Sequence, residues 1–184
     1  MTGARSAGVP NCAELASDPL VHRYEDMFNP PGLTNFLGAV QTDHDVVAVR
    51  SVNFPPYSHG DTVTGQLFLD GRLVRSYGAP VTVVWRPDRV TRTTTVDGVT
   101  VTATTACPPE TTGVAVDIRL RNHAGSPRRV RLGLTLAATV TRSAGAWNSS
   151  HPPAEPNDCR PVAGRAAVLA RARGSAAACV QGLD

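Results

Sequence analysis

The chain has 184 residues, of which 41% are hydrophobic and 18% charged, a composition that suits one folded domain and excludes a charge-rich disordered chain. The net charge is +3, and no run approaches the ~18 apolar residues of a membrane helix. The N-terminal residues also lack the apolar stretch of a secretory signal, so we expect a cytoplasmic protein with no membrane partner. Valine (23), threonine (19), glycine (16) and proline (15) are abundant, which favours strands and turns and predicts an all-β fold.

Residues 1–44 are irregular in composition and predict an N-terminal arm outside the main domain. The stretch Asn29 to Gly32 (NPPG) is a strong breaker of regular structure. The one regular element expected in the arm is a short helical turn from Asp18 to Met27. Ser17 or Asp18 can cap such a turn, and Pro19 suits its first helical position.

An antiparallel β-sandwich is expected over residues 45–184, where β-rich runs alternate with turn residues about every eight to twelve positions. Asp70-Gly71 and Asp97-Gly98 suit type I′ hairpins because both central residues of that turn need positive φ. Prolines interrupt the ladder at residues 53–62, which we predict to be a loop. The strands predicted before Cys107 are Asp45–Val52, Thr64–Leu69, Arg72–Ser76, Val81–Arg86, Arg89–Val96 and Val99–Ala106.

Alternation assigns the faces of the later strands. Val99, Val101 and Ala103 point to one side of their strand, and the intervening threonines point to water or to a second surface. Val114–Arg121 and then Arg128–Thr141 follow, the latter as one long strand with a buried face. Residues 143–164 contain four prolines and predict a long loop. A last hairpin is expected from 166–172 and 176–180, and an end directly after a strand predicts a truncated chain or a fragment of a longer architecture.

The basic residues and the cysteines predict neither a nucleic-acid partner nor a cofactor. All basic residues are arginine, and the run near the middle of the chain lacks the stacking aromatics of a nucleic-acid surface, so we interpret it as a solvated sheet face. The irregular cysteine spacing excludes a CxxC zinc or redox motif. We expect free thiols, with one disulfide in an exported protein as the alternative. The residues concerned are Arg119, Arg121, Arg128, Arg129, Arg131, Cys12, Cys107, Cys159 and Cys179.

Polar groups that can bind a metal or move protons gather between residues 41 and 61. A carboxylate can fix the tautomer of a histidine, which titrates near neutrality. Their spacing matches no HExxH or GxSxG motif, and turn capping explains such residues equally well, so no metal site is predicted. The four glutamates fall in arm or loop segments, which argues against a catalytic carboxylate pair. The polar candidates are Asp43, His44, Asp45, His59 and Asp61.

Aromatic side chains in loops form the other candidate site. Ring faces stack on sugars, and loops on a rigid scaffold present binding residues more often than strands do. Phe68 and Trp85 lie inside predicted strands, and we expect both in the core. The candidate carbohydrate-binding or docking residues are Phe54, Tyr57, His59, Asp61 and Trp147.

Three segments resemble a known kind of domain: residues 51–72 (SVNFPPYSHGDTVTGQLFLDGR), 84–90 (VWRPDRV) and 118–122 (IRLRN). Over about residues 45–142 the chain resembles the N-terminal β-sandwich, or supersandwich, of bacterial glycoside hydrolases with an α/α-toroid catalytic domain, of the glucosidase and glycogen-debranching type. The resemblance implies a noncatalytic sandwich that packs on the toroid, where the catalytic carboxylates lie. Nothing in this sequence matches the toroid, so no catalytic residue carries over.

Three functions follow as hypotheses. The first is a noncatalytic accessory domain of a carbohydrate-active enzyme, whose sheet face and 53–62 loop dock an α/α-toroid catalytic domain or a separate catalytic partner. The second is a free-standing carbohydrate-binding module that holds an oligosaccharide with Tyr57 and Trp147. The third is a small metal-dependent enzyme. Pairing of the chain with itself as a homo-oligomer is left open in all three.

Overall fold

The structure is a computed structural model that describes residues 19–25, 31–59, 63–137, 139–142 and 155–184, with the backbone alone described for His59. Regular structure in these ranges consists of sixteen strands and one 3₁₀ helix, Val74–Tyr77. Nothing helical in these ranges has the length and apolar content needed to cross a membrane. The strands are β1 Leu20–His22, β2 Gly32–Thr34, β3 Ala39–Thr42, β4 Val49–Phe54, β5 Tyr57–His59, β6 Gln66–Leu69, β7 Arg72–Leu73, β8 Val81–Arg86, β9 Arg89–Val96, β10 Val99–Ala106, β11 Ala115–Asn122, β12 Leu132–Thr135, β13 Val140–Arg142, β14 Asn157–Pro161, β15 Ala167–Ala172 and β16 Ala178–Gly182.

The strands pair antiparallel in four sheets, which confirms the predicted all-β antiparallel class. Sheet A has the order β1-β8-β9-β10-β11, and sheet B has the order β13-β5-β4-β3-β2. Sheet C has the order β12-β6-β7, and sheet D has the order β14-β15-β16. Most neighbours in a sheet are joined by short connections, but β1 pairs with β8, β12 with β6 and β13 with β5 across long stretches of sequence.

Both predicted Asp-Gly hairpins are present. Asp70 and Gly71 join β6 to β7 with φ angles of 51° and 85°, and Asp97 and Gly98 join β9 to β10 with 47° and 73°. Positive φ at both central residues is the signature of the type I′ turn, whose twist matches that of the flanking strands. The turn chemistry therefore fixes the register of two hairpins locally.

Sheet A shares a hydrophobic core with both sheet B and sheet C. Inward side chains alternate with half-exposed ones along β10, as its sequence predicted. A bridge between Val49 and Thr64, with N···O distances of 2.9 and 3.0 Å in the two directions, joins sheets B and C. The cluster shared by sheets A and B includes Leu33, Val40, Val49, Phe54, Val81, Val83 and Val90. The cluster shared by sheets A and C includes Leu67, Leu69, Val74, Val96, Val101 and Ala103.

The segment predicted as an irregular arm contains three strands. Within the described part of residues 1–44, β1 lies at the edge of sheet A, and β2 and β3 continue sheet B next to β4. β1 occupies the place where a helical turn was expected, because pairing of Leu20–His22 with Val81–Val83 outweighs the local capping signal. The described residues of the arm are therefore part of the sheets.

Two of the predicted early strands are only partly present. The predicted strand Asp45–Val52 starts at Val49, and most of the predicted strand Arg72–Ser76 belongs to the 3₁₀ helix Val74–Tyr77.

Three loop and late-strand predictions also differ from the structure. Residues 53–59, the described part of the predicted 53–62 loop, form a tight hairpin, since β4 runs to Phe54 and β5 starts at Tyr57, with a cis Pro55–Pro56 bond between them. The predicted long strand 128–141 is split into β12 and β13, and Leu132 is half exposed. β14 lies inside the predicted 143–164 loop and pairs with β15. β12 and β13 pair with β6 and β5, which lie far away in the sequence, so local residues do not reveal where the long strand divides.

The last hairpin and the cysteines follow the predictions more closely. β15 and β16 form the expected C-terminal hairpin. Cys107 is buried, Cys179 is half buried against the small cluster of sheet D, and Cys159 is exposed. All three are free thiols, and burial raises the pKa of the Cys107 and Cys179 thiols. Cys12 lies outside the described residues.

Candidate functional site

The acidic residues proposed as metal ligands build a turn between β3 and β4. One carboxylate oxygen of Asp45 accepts hydrogen bonds from the backbone N–H groups of Val47 and Ala48, at 3.0 and 3.4 Å. Oδ1 of Asp43 accepts from the N–H of Asp45 at 3.1 Å. Asp side chains commonly close turns in this way because they replace a backbone acceptor. Both carboxylates are therefore engaged in holding the 43–48 turn.

Arg92 clamps this turn from β9. Its guanidinium is fully buried, and Nη1 donates to the carbonyl oxygens of Asp43, Asp45 and Ala48 at 3.2, 2.7 and 2.7 Å. Nη2 donates to the carbonyl of Val47 at 2.9 Å and to Oγ1 of Thr105 at 2.8 Å. A planar guanidinium presents several donors in fixed directions, which suits a set of converging carbonyl groups. Arg92 thus ties the turn to β9 and β10.

Burial dominates the electrostatics of this cluster. It lowers the pKa of Arg92 to about 10 and raises the pKa of Asp45. The two N–H donors to Asp45 and the charge of Arg92 act in the opposite direction on that carboxyl. Burial, with the nearby Asp45 as a smaller cause, also raises the pKa of the Tyr24 hydroxyl. Because the guanidinium of Arg92 is buried and bonded to backbone carbonyls of the turn, the cluster is a structural clamp rather than an open reaction centre.

The proposed metal ligands are not brought together in the described residues. Asp43 pairs with Arg50, with Oδ2 and Nε 3.3 Å apart, and the ring of His44 packs edge-on against that of His22 at 6.0 Å. No group of three or more His, Cys, Asp or Glu residues in the described ranges is placed to hold a metal ion. Asp61 and the side chain of His59 lie outside what the structure describes.

The proposed docking aromatics lie in different environments. Phe54 is 7% exposed and belongs to the core shared by sheets A and B, unlike the loop position expected for it. Tyr57, which pairs with Phe54 across the hairpin, is 36% exposed. Trp85 was expected in the core but is 46% exposed, and its Nε1 donates to the carbonyl of Gly32 at 3.1 Å. Trp147 lies outside the described residues.

The outward face of sheet A carries a regular array of hydroxyl groups that ends at two arginines. Facing threonines of β9 and β10 contact each other through Oγ1 atoms at 2.8 to 3.4 Å. β11 places its arginines directly opposite the β10 threonines, as Thr100↔Arg121 and Thr102↔Arg119. We call this surface the threonine–arginine face. It comprises Thr91, Thr93, Thr95, Thr100, Thr102, Thr104, Arg119 and Arg121.

His123 extends this face beyond the end of β11. Its Nε2 and Oγ1 of Thr100 are 2.8 Å apart, and Thr100 in turn contacts Thr95 at 2.8 Å. An open depression of about 470 Å³ lies here, lined by Thr100, Thr102, Arg119, Leu120, Arg121 and His123. Hydroxyl, imidazole and guanidinium groups are hydrogen-bonding partners for polar or anionic ligands. The depression therefore offers hydrogen-bonding groups to a polar or anionic ligand.

The sequence predicted the threonines of this surface but not the buried position of Arg92. Alternation in Val99–Ala106 predicted the outward threonines, which the structure confirms. Arg92 was missed as a buried residue, although it alternates with Val90, Thr94 and Val96 and therefore shares their inward face. No protein-family model, no curated protein and no solved structure matches this chain.

Proposed function

We propose that the chain is a noncatalytic β-sandwich accessory domain of a carbohydrate-active enzyme. In this proposal the outward face of sheet A docks an α/α-toroid catalytic domain or a separate catalytic partner. The observation that carries the proposal is the threonine–arginine face, a broad polar surface on a sheet whose other side is fixed in the core. A rigid sheet with one packed face leaves its other face available for a partner.

The core clusters support the supersandwich arrangement included in this proposal. Sheet A contributes to both large clusters, while sheets B and C, joined by the Val49–Thr64 bridge, face it. Two layers that bury their inner faces against each other are the defining feature of a sandwich. In this arrangement sheets B and C act as one layer, and sheet A is the other.

The use of the acidic residues supports a scaffold rather than a metal-dependent enzyme. Asp43 accepts from the N–H of Asp45 and pairs with Arg50, and Oδ1 of Asp45 accepts from the N–H of Val47. Arg92 then joins the same turn to two strands of sheet A. Groups that are held by several hydrogen bonds of this kind stabilise a loop and are poorly placed to exchange ligands.

Site-specific photo-crosslinking in cells that express the chain natively tests the docking face. The chain has no lysine, so a benzophenone amino acid is introduced at Thr102 on the threonine–arginine face and, as a matched control, at exposed Arg160 in sheet D. We expect an adduct with a toroid glycoside hydrolase at position 102 and much less at position 160. Equal labelling, or hydrolysis of glucan oligosaccharides by the purified chain alone, would contradict the proposal.

A carbohydrate-binding module is the second candidate, favoured by the depression beside Arg121. Its hydroxyl and guanidinium donors suit a sugar that carries a carboxylate or sulfate group. Calorimetric titration with uronic-acid and neutral oligosaccharides distinguishes the two proposals. Binding of acidic sugars that is lost in Arg121→Ala and kept in Tyr57→Ala would support the module, and flat titrations would exclude it.

A further inference from the structure

β11 is an edge strand whose outer side has no partner in the described part of the chain. It ends the order β1-β8-β9-β10-β11, and its eight residues pair with β10 in unbroken register from Val99↔Asn122 to Ala106↔Ala115. Val116 and Ile118 pack on the core, so the strand is held in place before any partner arrives. A long ordered edge is a template for another strand.

The hydrogen bond just beyond the end of β11 shows which of its residues bond to β10 and which direct their backbone groups to the free edge. The N–H of His123 donates to the carbonyl of Gly98 at 2.9 Å, in continuation of the β10–β11 register. In an antiparallel pair, alternate residues bond to a given neighbour. Odd-numbered residues of β11 therefore bond to β10, and Val116, Ile118 and Leu120 direct their N–H and C=O groups to the free edge.

We propose that this edge pairs with β11 of a second copy of the chain, antiparallel, about a twofold axis at Ile118. Ile118 then faces the partner's Ile118 as a pair that exchanges two hydrogen bonds. Val116 and Leu120 pair with the partner's Leu120 and Val116, which gives about six bonds between the chains. The two A sheets become one ten-stranded sheet with an isologous interface.

Charge complementarity selects this register. Asp117 and Arg119 share the outward face of β11, with Oδ2 and Nε 2.7 Å apart, and their side chains are 54% and 80% exposed. With the axis at Ile118, each Asp117 lies opposite the partner's Arg119, so four charges alternate in sign. An axis at Leu120 would instead place Arg119 opposite the partner's Arg121, which is destabilising. An axis at Val116 would shorten the overlap to a few residues.

Apolar contacts on the inward face support the same register. Leu120 is 36% exposed at the end of an otherwise packed row. In the paired sheet the partner's Val116 lies opposite Leu120 and covers it, and Ile118 meets its own copy. The rows of threonines stay uncovered, so this pairing is compatible with a partner docked on the threonine–arginine face.

Charge reversal combined with mixing tests the pairing on the full chain. Sedimentation velocity of the wild type over about a hundredfold range of concentration should show a monomer–dimer equilibrium. Asp117→Arg alone and Arg119→Asp alone each create two like-charge pairs and should raise the dissociation constant about thirtyfold or more. A mixture of these two variants should form a heterodimer, because every cross-strand pair then has opposite charges.

Three further proteins separate this register from other modes of association. The double variant Asp117→Arg/Arg119→Asp should dimerise like the wild type. Arg121→Asp changes the same face by the same charge opposite the partner's Ala115, and should change the dissociation constant less than about threefold. Leu120→Pro removes an outward N–H but no bond to β10, so it should fold and stay monomeric.

The proposal is overturned by any of three results. These are a wild type that stays monomeric over the whole range, single charge variants that dimerise as well as the wild type, and a mixture of the two that forms no heterodimer. Circular dichroism and thermal unfolding check that each variant is folded before its association is measured. Both charged side chains are exposed, so we expect all charge variants to retain the native fold.

Discussion

Sheets A and D are built from similar short antiparallel strands but are held in place by different forces. Sheet A shares two clusters of valine, leucine and phenylalanine with sheets B and C. The cluster under sheet D consists of Val140 and three alanines, Ala170, Ala172 and Ala177. A fully buried valine or leucine side chain stabilises a fold by ~1.5–3 kcal/mol, and an alanine methyl contributes much less. Sheet D therefore needs another source of attachment.

Hydrogen bonds from side chains to the backbone provide that attachment. Asn157 accepts from the N–H of Val140 and donates to its C=O, both at 3.0 Å, as a neighbouring strand would. Oε1 of Glu155 accepts from the hydroxyl of Thr141 at 2.6 Å and from the N–H of Arg142 at 2.8 Å. Nε2 of Gln181 donates to the carbonyl of Ala137 at 3.0 Å. Polar contacts thus fasten sheet D, whereas apolar burial fastens sheet A.

Arg92 is the exception within sheet A, and its removal should have the largest effect. Arg92→Ala removes the guanidinium donors to the buried carbonyls of Asp45 and Val47. Leaving a buried acceptor without its donor costs about 1–3 kcal/mol for each group, so we expect a loss of about 2–6 kcal/mol. Urea unfolding followed by tryptophan fluorescence measures the loss of unfolding free energy.

Two variants make that measurement decisive. Arg89→Ala, on the same strand but half exposed and paired with neighbouring Asp88, should change the unfolding free energy by less than about 1 kcal/mol. Arg92→Lys keeps the charge but has fewer donors in a different geometry, and should recover only part of the loss. If Arg92→Ala unfolds at the same urea concentration as Arg89→Ala, the clamp does not stabilise the fold.

The next largest loss of stability is expected at Gly38, whose backbone lies close to Asn53 and Phe54 of β4. A Cβ atom at Gly38 would collide with the carbonyl oxygen of Asn53 and would lie 2.6 Å from Cδ1 of Phe54. Gly38→Ala should therefore destabilise the chain by about 1–3 kcal/mol, as overpacking does. Gly125→Ala is the matched control, since no atom of the described residues lies within 4 Å of its Cβ position. Equal melting temperatures for the two variants would show that Asn53 and Phe54 can move away from a side chain at position 38 without loss of stability.

The difference between the regions also explains what the sequence could predict. The hairpins β6–β7 and β9–β10 depend on Asp-Gly turns and on alternation, which are local signals, and both were found. β1 and β14 are short and depend on partners elsewhere in the chain, so their own residues carry little β signal. The Arg92 clamp joins β9 to a turn more than forty residues away. Such a contact is a property of the tertiary fold, although the inward alternation of Arg92 hinted at it.

Asn157 tests whether polar contacts hold sheet D. Asn157→Ala removes both bonds to Val140 and a 2.6 Å bond to the carbonyl of Glu155, and should cost about 1–2 kcal/mol. Hydrogen exchange should accelerate in β13 to β16 and remain unchanged in β8 to β10. Asp158→Ala, which removes an exposed pair with Arg173, is the control. Faster exchange throughout the molecule would mean that the two regions unfold as one unit.

The smallest expected effect is a loss of stability at low pH that is confined to sheet D and is caused by protonation of Glu155. The hydroxyl of Thr141, followed by the N–H of Arg142, lowers the pKa of Glu155 below its ordinary value of 4.5. The unfolded chain therefore binds the proton more tightly than the folded chain. The stabilisation is complete above about pH 4.5 and is lost as the pH falls through the lower folded pKa.

Glu155→Gln keeps an acceptor but removes the titration, so its β13 and β14 amides should lose less protection on acidification than those of the wild type. Hydrogen exchange across this range, corrected for the intrinsic pH dependence, measures the difference. Glu110→Gln, at an exposed turn position, is the control and should follow the wild type. The contacts of Glu155 are with β13 and not with β9 or β10. Amide protection in β9 and β10 should therefore decline equally in all three proteins. If the β13 amides of the wild type and of Glu155→Gln lose protection equally, apolar burial rather than Glu155 holds sheet D against β13.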